Sequence, residues 1–385
     1  MKSRLGGSYI CEAKLQRMNH SIFFVCLFII GSISCKPKPE VTTETTSQDK
    51  PTDTLRYEKE KHLANMRQLT FGGDNAEAYW SFSGDKLTFQ ASRKEWNAPC
   101  DQIFIMDTHA KVDTSKIPQL ISTGFGRTTC SYFLPGDSLI LFASTHKADK
   151  ACPPTPERNV DGHYVWPLYP TYDIYVSDLK GQLRKTLVES PGYDAEATVS
   201  PKGDKIVFTS TRSGDPELYT MDIDGKNVKQ VTNGLGYDGG AFFSHDGTKL
   251  VFRASRPTKP EDVATYKSLL AKNLVQPTEM ELFTCNVDGS ELKQITHLGQ
   301  ANWAPYYLPS DDKIIFCSNY KAEHGFPFNL YTIGVNGEGL EQITYDTDFD
   351  SFPMFSPDGK RLSFSSNRNN GDTRSTNVFV ADWTN

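Results

Sequence analysis

Six residues of this 385-residue chain stand at one position of a repeated pattern, and several carry chemistry: Asn75, Thr128, Asp194, Asp238, Asn302 and Asp350 each lie six residues before a turn. Such a ring at a channel mouth, with Glu77 and Glu196 nearby, would form a negative funnel for a basic segment, a sugar or a cation. The competing reading is that Asp and Asn side chains tie down the backbone of their own loops. Arg127 interrupts the ring, while Trp303, Tyr193 and Tyr237 lie beside ring positions and offer aromatic contact. His146, His163, His297 and His324 map to the same side, and His146 and His297 are the candidates for a metal-dependent alternative. No Gly-x-Ser-x-Gly elbow, phosphate-binding glycine loop or His-Glu-x-x-His pair occurs, so the chain lacks the motifs of a hydrolase, a nucleotide-binding protein or a zinc protease. No cofactor is implied.

Cysteine chemistry is the second candidate. Beyond Cys35 the chain has Cys100, Cys130, Cys152, Cys285 and Cys317. Cys285 and Cys317 fall in apolar strands and suit packing. Cys100, Cys130 and Cys152 share one neighbourhood, and in an oxidising compartment two of the three would pair, though spacing does not say which two.

The elements that position these residues repeat. Gln68-Leu69-Thr70, Gln119-Leu120-Ile121, Thr186-Leu187-Val188, Gln230-Val231-Thr232, Gln294-Ile295-Thr296 and Gln342-Ile343-Thr344 open six units of about 43 residues. Each unit continues through an aromatic run, a turn such as Ser200-Pro201-Lys202-Gly203, an alternating strand such as Lys205-Ile206-Val207-Phe208, and a third strand closed by a turn such as Asp224-Gly225. Four short antiparallel strands repeated radially predict an all-β, six-bladed β-propeller. The last unit ends after its third strand, so Gln68-Leu69-Thr70 is expected to complete the sixth blade and remove an open edge. The 12% aromatic content, 28 Gly and 22 Pro fit strands and turns. A net charge of -6 with no basic block in the body of the chain disfavours nucleic acid.

Two insertions fall on one face, residues 145–171 in blade two and residues 257–280 in blade four. The first is rich in Pro and aromatics, including Tyr164, Trp166 and Tyr169, and a long loop of that composition suits a binding surface. The second predicts a helix starting at Pro260, with Val263, Tyr266, Leu269 and Leu270 on one stripe.

The repeat resembles the TolB-like β-propellers, whose units carry Ser-Pro-Asp-Gly, then Ser-x-Arg, then an aromatic strand and Asp-Gly. Ser356-Pro357-Asp358-Gly359 with Ser366-Asn367-Arg368, and Ser210-Thr211-Arg212 with Leu218-Tyr219-Thr220-Met221, carry the likeness over residues 67–385. The resemblance implies the fold far more specifically than an activity, since one such scaffold hosts binding proteins, lyases and peptidase domains.

Basic residues up to Arg17, the apolar run Ile22–Ile30 and small residues before Cys35 make residues 1–35 a signal segment. The junction resembles a bacterial lipobox, with Ser32 where Leu is usual, which implies lipidation of Cys35; Met1 or Met18 is the start. Residues 36–65 are expected to be a flexible tether and residues 66–385 the propeller. The expectation is a monomeric, non-catalytic lipoprotein of the bacterial envelope, facing the periplasm, with the outer membrane as its site. It would bind an envelope protein, peptide or glycan through Arg127, Asp194, Glu196, Asp238, Asn302, Trp303, Asp350 and Trp166. The alternatives are a metal-dependent lyase or hydrolase acting on glycans, or the propeller subunit of a peptidase.

Overall fold

A buried phenylalanine recurs in the second strand of every unit: Phe89, Phe142, Phe208, Phe252, Phe316 and Phe364. Each faces an aromatic residue paired with it on the third strand, namely Phe104, Tyr175, Tyr219, Phe283, Tyr331 and Phe379. Ring centroids lie between 5.8 and 6.3 Å apart. Cross-strand aromatic pairs of this kind add about 0.5–1.5 kcal/mol each beyond area burial, which makes the pair the unit on which each blade is built.

The computed structural model describes residues 53–384 apart from 158, 161, 324 and 372. The described residues form six four-stranded antiparallel sheets, the blades of a β-propeller. Their innermost strands are Asp74–Trp80, Thr128–Phe133, Asp194–Val199, Asp238–Phe243, Asn302–Tyr307 and Asp350–Phe355. As expected, the N-terminal residues close the ring: Leu63–Gln68 pairs antiparallel with Asn377–Trp383, and the Leu69 amide donates to the Val378 carbonyl at 2.8 Å. The pairing begins five residues before the segment expected to make it.

The boundary of the tether is corrected. Within the stretch expected to be flexible, residues 53–65 pack against blade six. Glu60 and Leu63 are fully buried, and Tyr57 donates its hydroxyl to Asp346 at 2.7 Å. Composition missed this because the partners of these residues lie almost 300 positions away. Cys35, the signal segment and residues 36–52 lie outside the described residues.

Both insertions leave the same face, between the second and third strands of their blades. The second contains the expected helix, Pro260–Leu270, with Tyr266 and Leu269 buried. The two insertions also join each other: Trp166 pairs with Val275 and Pro167 with Leu274 in a small antiparallel sheet, and the Leu168 amide donates to Asn273 at 2.8 Å. Val165, Leu269 and Leu274 form a separate apolar cluster beneath it. Cys100 of blade one and Cys152 of the first insertion form a disulfide, with Cα atoms 6.0 Å apart, while Cys130, Cys285 and Cys317 are free.

Candidate functional site

Every innermost strand carries a β-bulge two residues after the expected ring position, where the pairing register shifts. The bulge residues are Glu77, Cys130, Glu196, Gly240, Ala304 and Phe352, all with φ between 46° and 61°. A left-handed conformation is unfavourable for the five that are not glycine, and its recurrence in all six blades marks it as built in. The six residues line one central cavity of about 220 Å³. Its floor is aromatic: Tyr79 of blade one meets Phe242 of blade four across the axis at 5.4 Å, and Tyr132 and Tyr306 pack beside them. Trp166, Pro167 and Leu168 of the first insertion form part of its wall, as does Trp303. The Trp166 and Trp303 rings are 4.9 Å apart, and Trp303 is held by its indole N–H donating to the Pro277 carbonyl of the second insertion at 2.8 Å.

Charge inside the cavity is unevenly matched. Glu196 accepts hydrogen bonds from Tyr237 (2.6 Å), Thr209 (2.8 Å), the Gly240 amide (2.9 Å) and the guanidinium of Arg253. Burial pushes its carboxyl upward, but Arg253 and these donors outweigh that and leave it below the ordinary range. Arg253 lies over the Tyr237 and Trp166 rings, at 5.1 and 5.7 Å from their centroids. A Cβ at Gly240 would lie 1.8 Å from Nη1 of Arg253, so any larger residue there would have to displace the guanidinium. Glu77 has no such set of partners. Its Oε2 is shielded from solvent without a hydrogen bond, and so is the Nε of Arg253. Burial pushes the Glu77 carboxyl up to about 7, against a hydrogen bond from the Cys130 thiol and aided by the charge of Glu196. A second cavity adjoins across Trp166 and Tyr193; there Arg127 pairs with Asp101 and its own Nε is buried without a partner.

The structure brings Glu196, Trp166 and Trp303 together and places Arg127 next door. It separates the other expected site residues from them. Asp194, Asp238, Asn302 and Asp350 are fully buried and do not line the cavity. Three are latches for an arginine 18 residues further on: Arg212 to Asp194 at 2.9 Å, Arg256 to Asp238 at 2.9 Å and Arg368 to Asp350 at 2.8 Å. Arg212 also covers both rings of its blade's aromatic pair, Phe208 and Tyr219, at 5.1 and 5.0 Å, Arg368 does the same over Phe364 and Phe379, and Arg256 lies over Phe283. Asn302 instead donates to the Met280 and Gly299 carbonyls. The residues that face the channel therefore lie two positions beyond the expected ring: the polar positions hold arginines or backbone within the blades, and the bulge positions face the channel.

His146 and His297 do not converge. His146 is bound to Ser144 at 2.8 Å and packs on Tyr175, and His297 contacts Gln294 at 3.1 Å. Among the described residues no group of three or more His, Cys, Asp or Glu is positioned to hold a metal ion; His324 lies outside them.

Residues 169–268 match the family model described as the TolB beta propeller domain. The fold is a TolB-like six-bladed β-propeller. Solved structures similar to this TolB-like propeller include a protein assigned as TolB from Agrobacterium tumefaciens, at 18% identity and a TM-score of 0.52, covering 81% of this chain and 91% of that one. TolB from Acinetobacter baumannii aligns at 17% identity and a TM-score of 0.48, covering 81% of this chain and 64% of that one. An oligogalacturonate lyase in complex with manganese aligns at 13% identity and a TM-score of 0.45, covering 84% and 98%. No curated protein matches the chain.

Proposed function

We propose that this TolB-like propeller is a non-catalytic binding module of the bacterial envelope that takes a protein or peptide partner into its central cavity. The observation that carries the reading is the capped cavity itself. Six left-handed bulge residues face it, the first insertion walls it and is braced by the second, and buried polar atoms of Glu77 and Arg253 lack partners there. Unpaired buried polar groups are costly and uncommon in folded proteins, so two of them on residues lining one cavity favour a ligand that completes them. Glu196, Trp166, Trp303 and Arg127 are the contact residues in this reading. The Cys100–Cys152 disulfide supports an oxidising compartment, consistent with export by residues 1–35 and anchoring through Cys35.

Affinity capture from envelope extract tests it. Wild-type protein should retain a partner that a Trp166→Ala, Tyr164→Ala variant loses; equal capture by both counts against the cavity. A stoichiometric transition metal in purified protein, lost on changing His146 or His297, would favour the metal-dependent enzyme instead.

A further inference from the structure

The chemistry of the cavity narrows what can enter it. Its two carboxylates, Glu77 and Glu196, both face the same space, and only Glu196 is neutralised by Arg253. An anion would therefore find no free cation, and above about pH 7 it would meet the charge of Glu77. A wholly apolar group would leave Oε2 of Glu77 and Nε of Arg253 without partners in a dry site. The walls are aromatic, with Tyr79, Trp166, Trp303 and Phe352 among the lining residues. Aromatic faces beside an unpaired carboxylate favour a cation on an apolar stem. The volume of about 220 Å³ is below the roughly 300 Å³ at which drug-sized pockets begin, and suits one side chain or chain end.

We propose that the central cavity binds an ammonium group with an adjoining hydrogen-bond acceptor, as presented by a lysine residue or a free N-terminus of a peptide. The ammonium donates to Oε2 of Glu77, the stem lies against Trp166 and Trp303, and the neighbouring carbonyl accepts from Nε of Arg253. The inference rests on the binding reading above and specifies what that site recognises. The charged and titratable groups that act on Glu77 are Cys130, Glu196, Arg253 and Asp101. A bound ammonium favours ionised Glu77. Affinity should consequently be greatest above about pH 7 and fall toward tenfold per pH unit below it.

The test uses the mature chain and three probes, followed by tryptophan fluorescence and ligand-observed NMR. N-acetyl-lysine methylamide should bind at least about tenfold more tightly than the neutral N-acetyl-norleucine methylamide, and Glu77→Gln should abolish that preference while remaining folded and melting no lower than wild type. Cadaverine, a free diamine without a carbonyl, should bind more weakly than the lysine probe; equal binding overturns the acceptor half of the proposal. Equal affinity for the lysine and norleucine probes, or an unchanged preference in Glu77→Gln, overturns the ammonium site. Trp166→Ala should weaken the lysine probe independently of any effect of the Glu77 change on folding. If no probe binds while Trp166-dependent capture of an envelope partner persists, the ammonium proposal fails and the binding reading stands; loss of that capture as well removes both.

Discussion

Glu60 and Arg368, 308 residues apart, form a two-pronged ion pair with both side chains almost wholly out of water. Both oxygens of Glu60 accept from the guanidinium at 3.0 Å, and the same guanidinium reaches Asp350 at 2.8 Å. One cation thus serves two buried carboxylates. Burial, only partly offset by Arg368, pushes Asp350 up to about 6, and its Oδ1 has no partner. Glu60 also accepts from the Tyr57 and Tyr345 amides. The N-terminal segment is therefore a clip across the closure of blade six, where the first and last parts of the chain meet.

Removing the clip should loosen the closure. Glu60→Ala leaves Arg368 with one carboxylate in place of two and frees two backbone donors, and losing one member of a buried pair costs about 3 kcal/mol. A chain starting at residue 63 should lose at least as much. Urea unfolding of both variants against the intact chain measures this, and a loss under 1 kcal/mol for each would show that blade six closes without the clip.

The arginine latches make a different kind of prediction. Asp194 is fully buried and receives Arg212 and the Ser190 hydroxyl. Arg212→Met should cost about 3 kcal/mol, because an uncompensated carboxylate remains inside. Adding Asp194→Asn should recover part of that loss, so the double variant is more stable than the sum of the singles predicts. Additive effects in a double-mutant cycle would mean the two side chains act independently.

How far such features were legible in the sequence differs from residue to residue. Phe208 and Tyr219, and their counterparts in the other blades, declared the blade through their repetition. The offset of 18 residues from Asp194 to Arg212, from Asp238 to Arg256 and from Asp350 to Arg368 was also present in the sequence, and it explains why those carboxylates recur without a ligand. Glu77 and Glu196 stood out only as carboxylates near the ring, and Cys130, Gly240, Ala304 and Phe352 gave no signal, because a bulge is a backbone event that tolerates many side chains and the six bulge residues share no residue type. Aligning the turns gave the right spacing and the wrong face, since one step along a strand reverses a side chain and a bulge shifts the count again. The clip was hidden because its burial depends on contacts with the far end of the chain.

The disulfide ties the first insertion to blade one across 52 residues. By chain entropy a loop of that length contributes roughly 4 kcal/mol. Cys152→Ser should lower stability by about 2–4 kcal/mol and weaken partner capture, because Trp166 sits on the insertion it pins. Alkylation of native protein with peptide mapping should leave Cys100 and Cys152 unlabelled until reduction. Labelling of Cys100, Cys130 and Cys152 together in unreduced protein would rule the bond out.

Glu77 sets the pH dependence of the site. Its carboxyl lies at about 7 in the folded protein against an ordinary value of 4.5, because burial disfavours the charge and neighbouring Glu196 adds to it. Between these values the folded state holds a proton that the unfolded state has released, so stability from this group falls as pH rises from about 4.5 to about 7 and is level above. Glu77→Gln removes that loss. The variant should gain stability relative to wild type at pH 8 and show little gain at pH 4, measured as urea midpoints at constant ionic strength. The same substitution should impair binding, because the charge that destabilises the empty cavity is the one a bound cation would neutralise. A variant with the same advantage at both pH values would show that Glu77 titrates alike in the folded and unfolded protein and is not held up by burial.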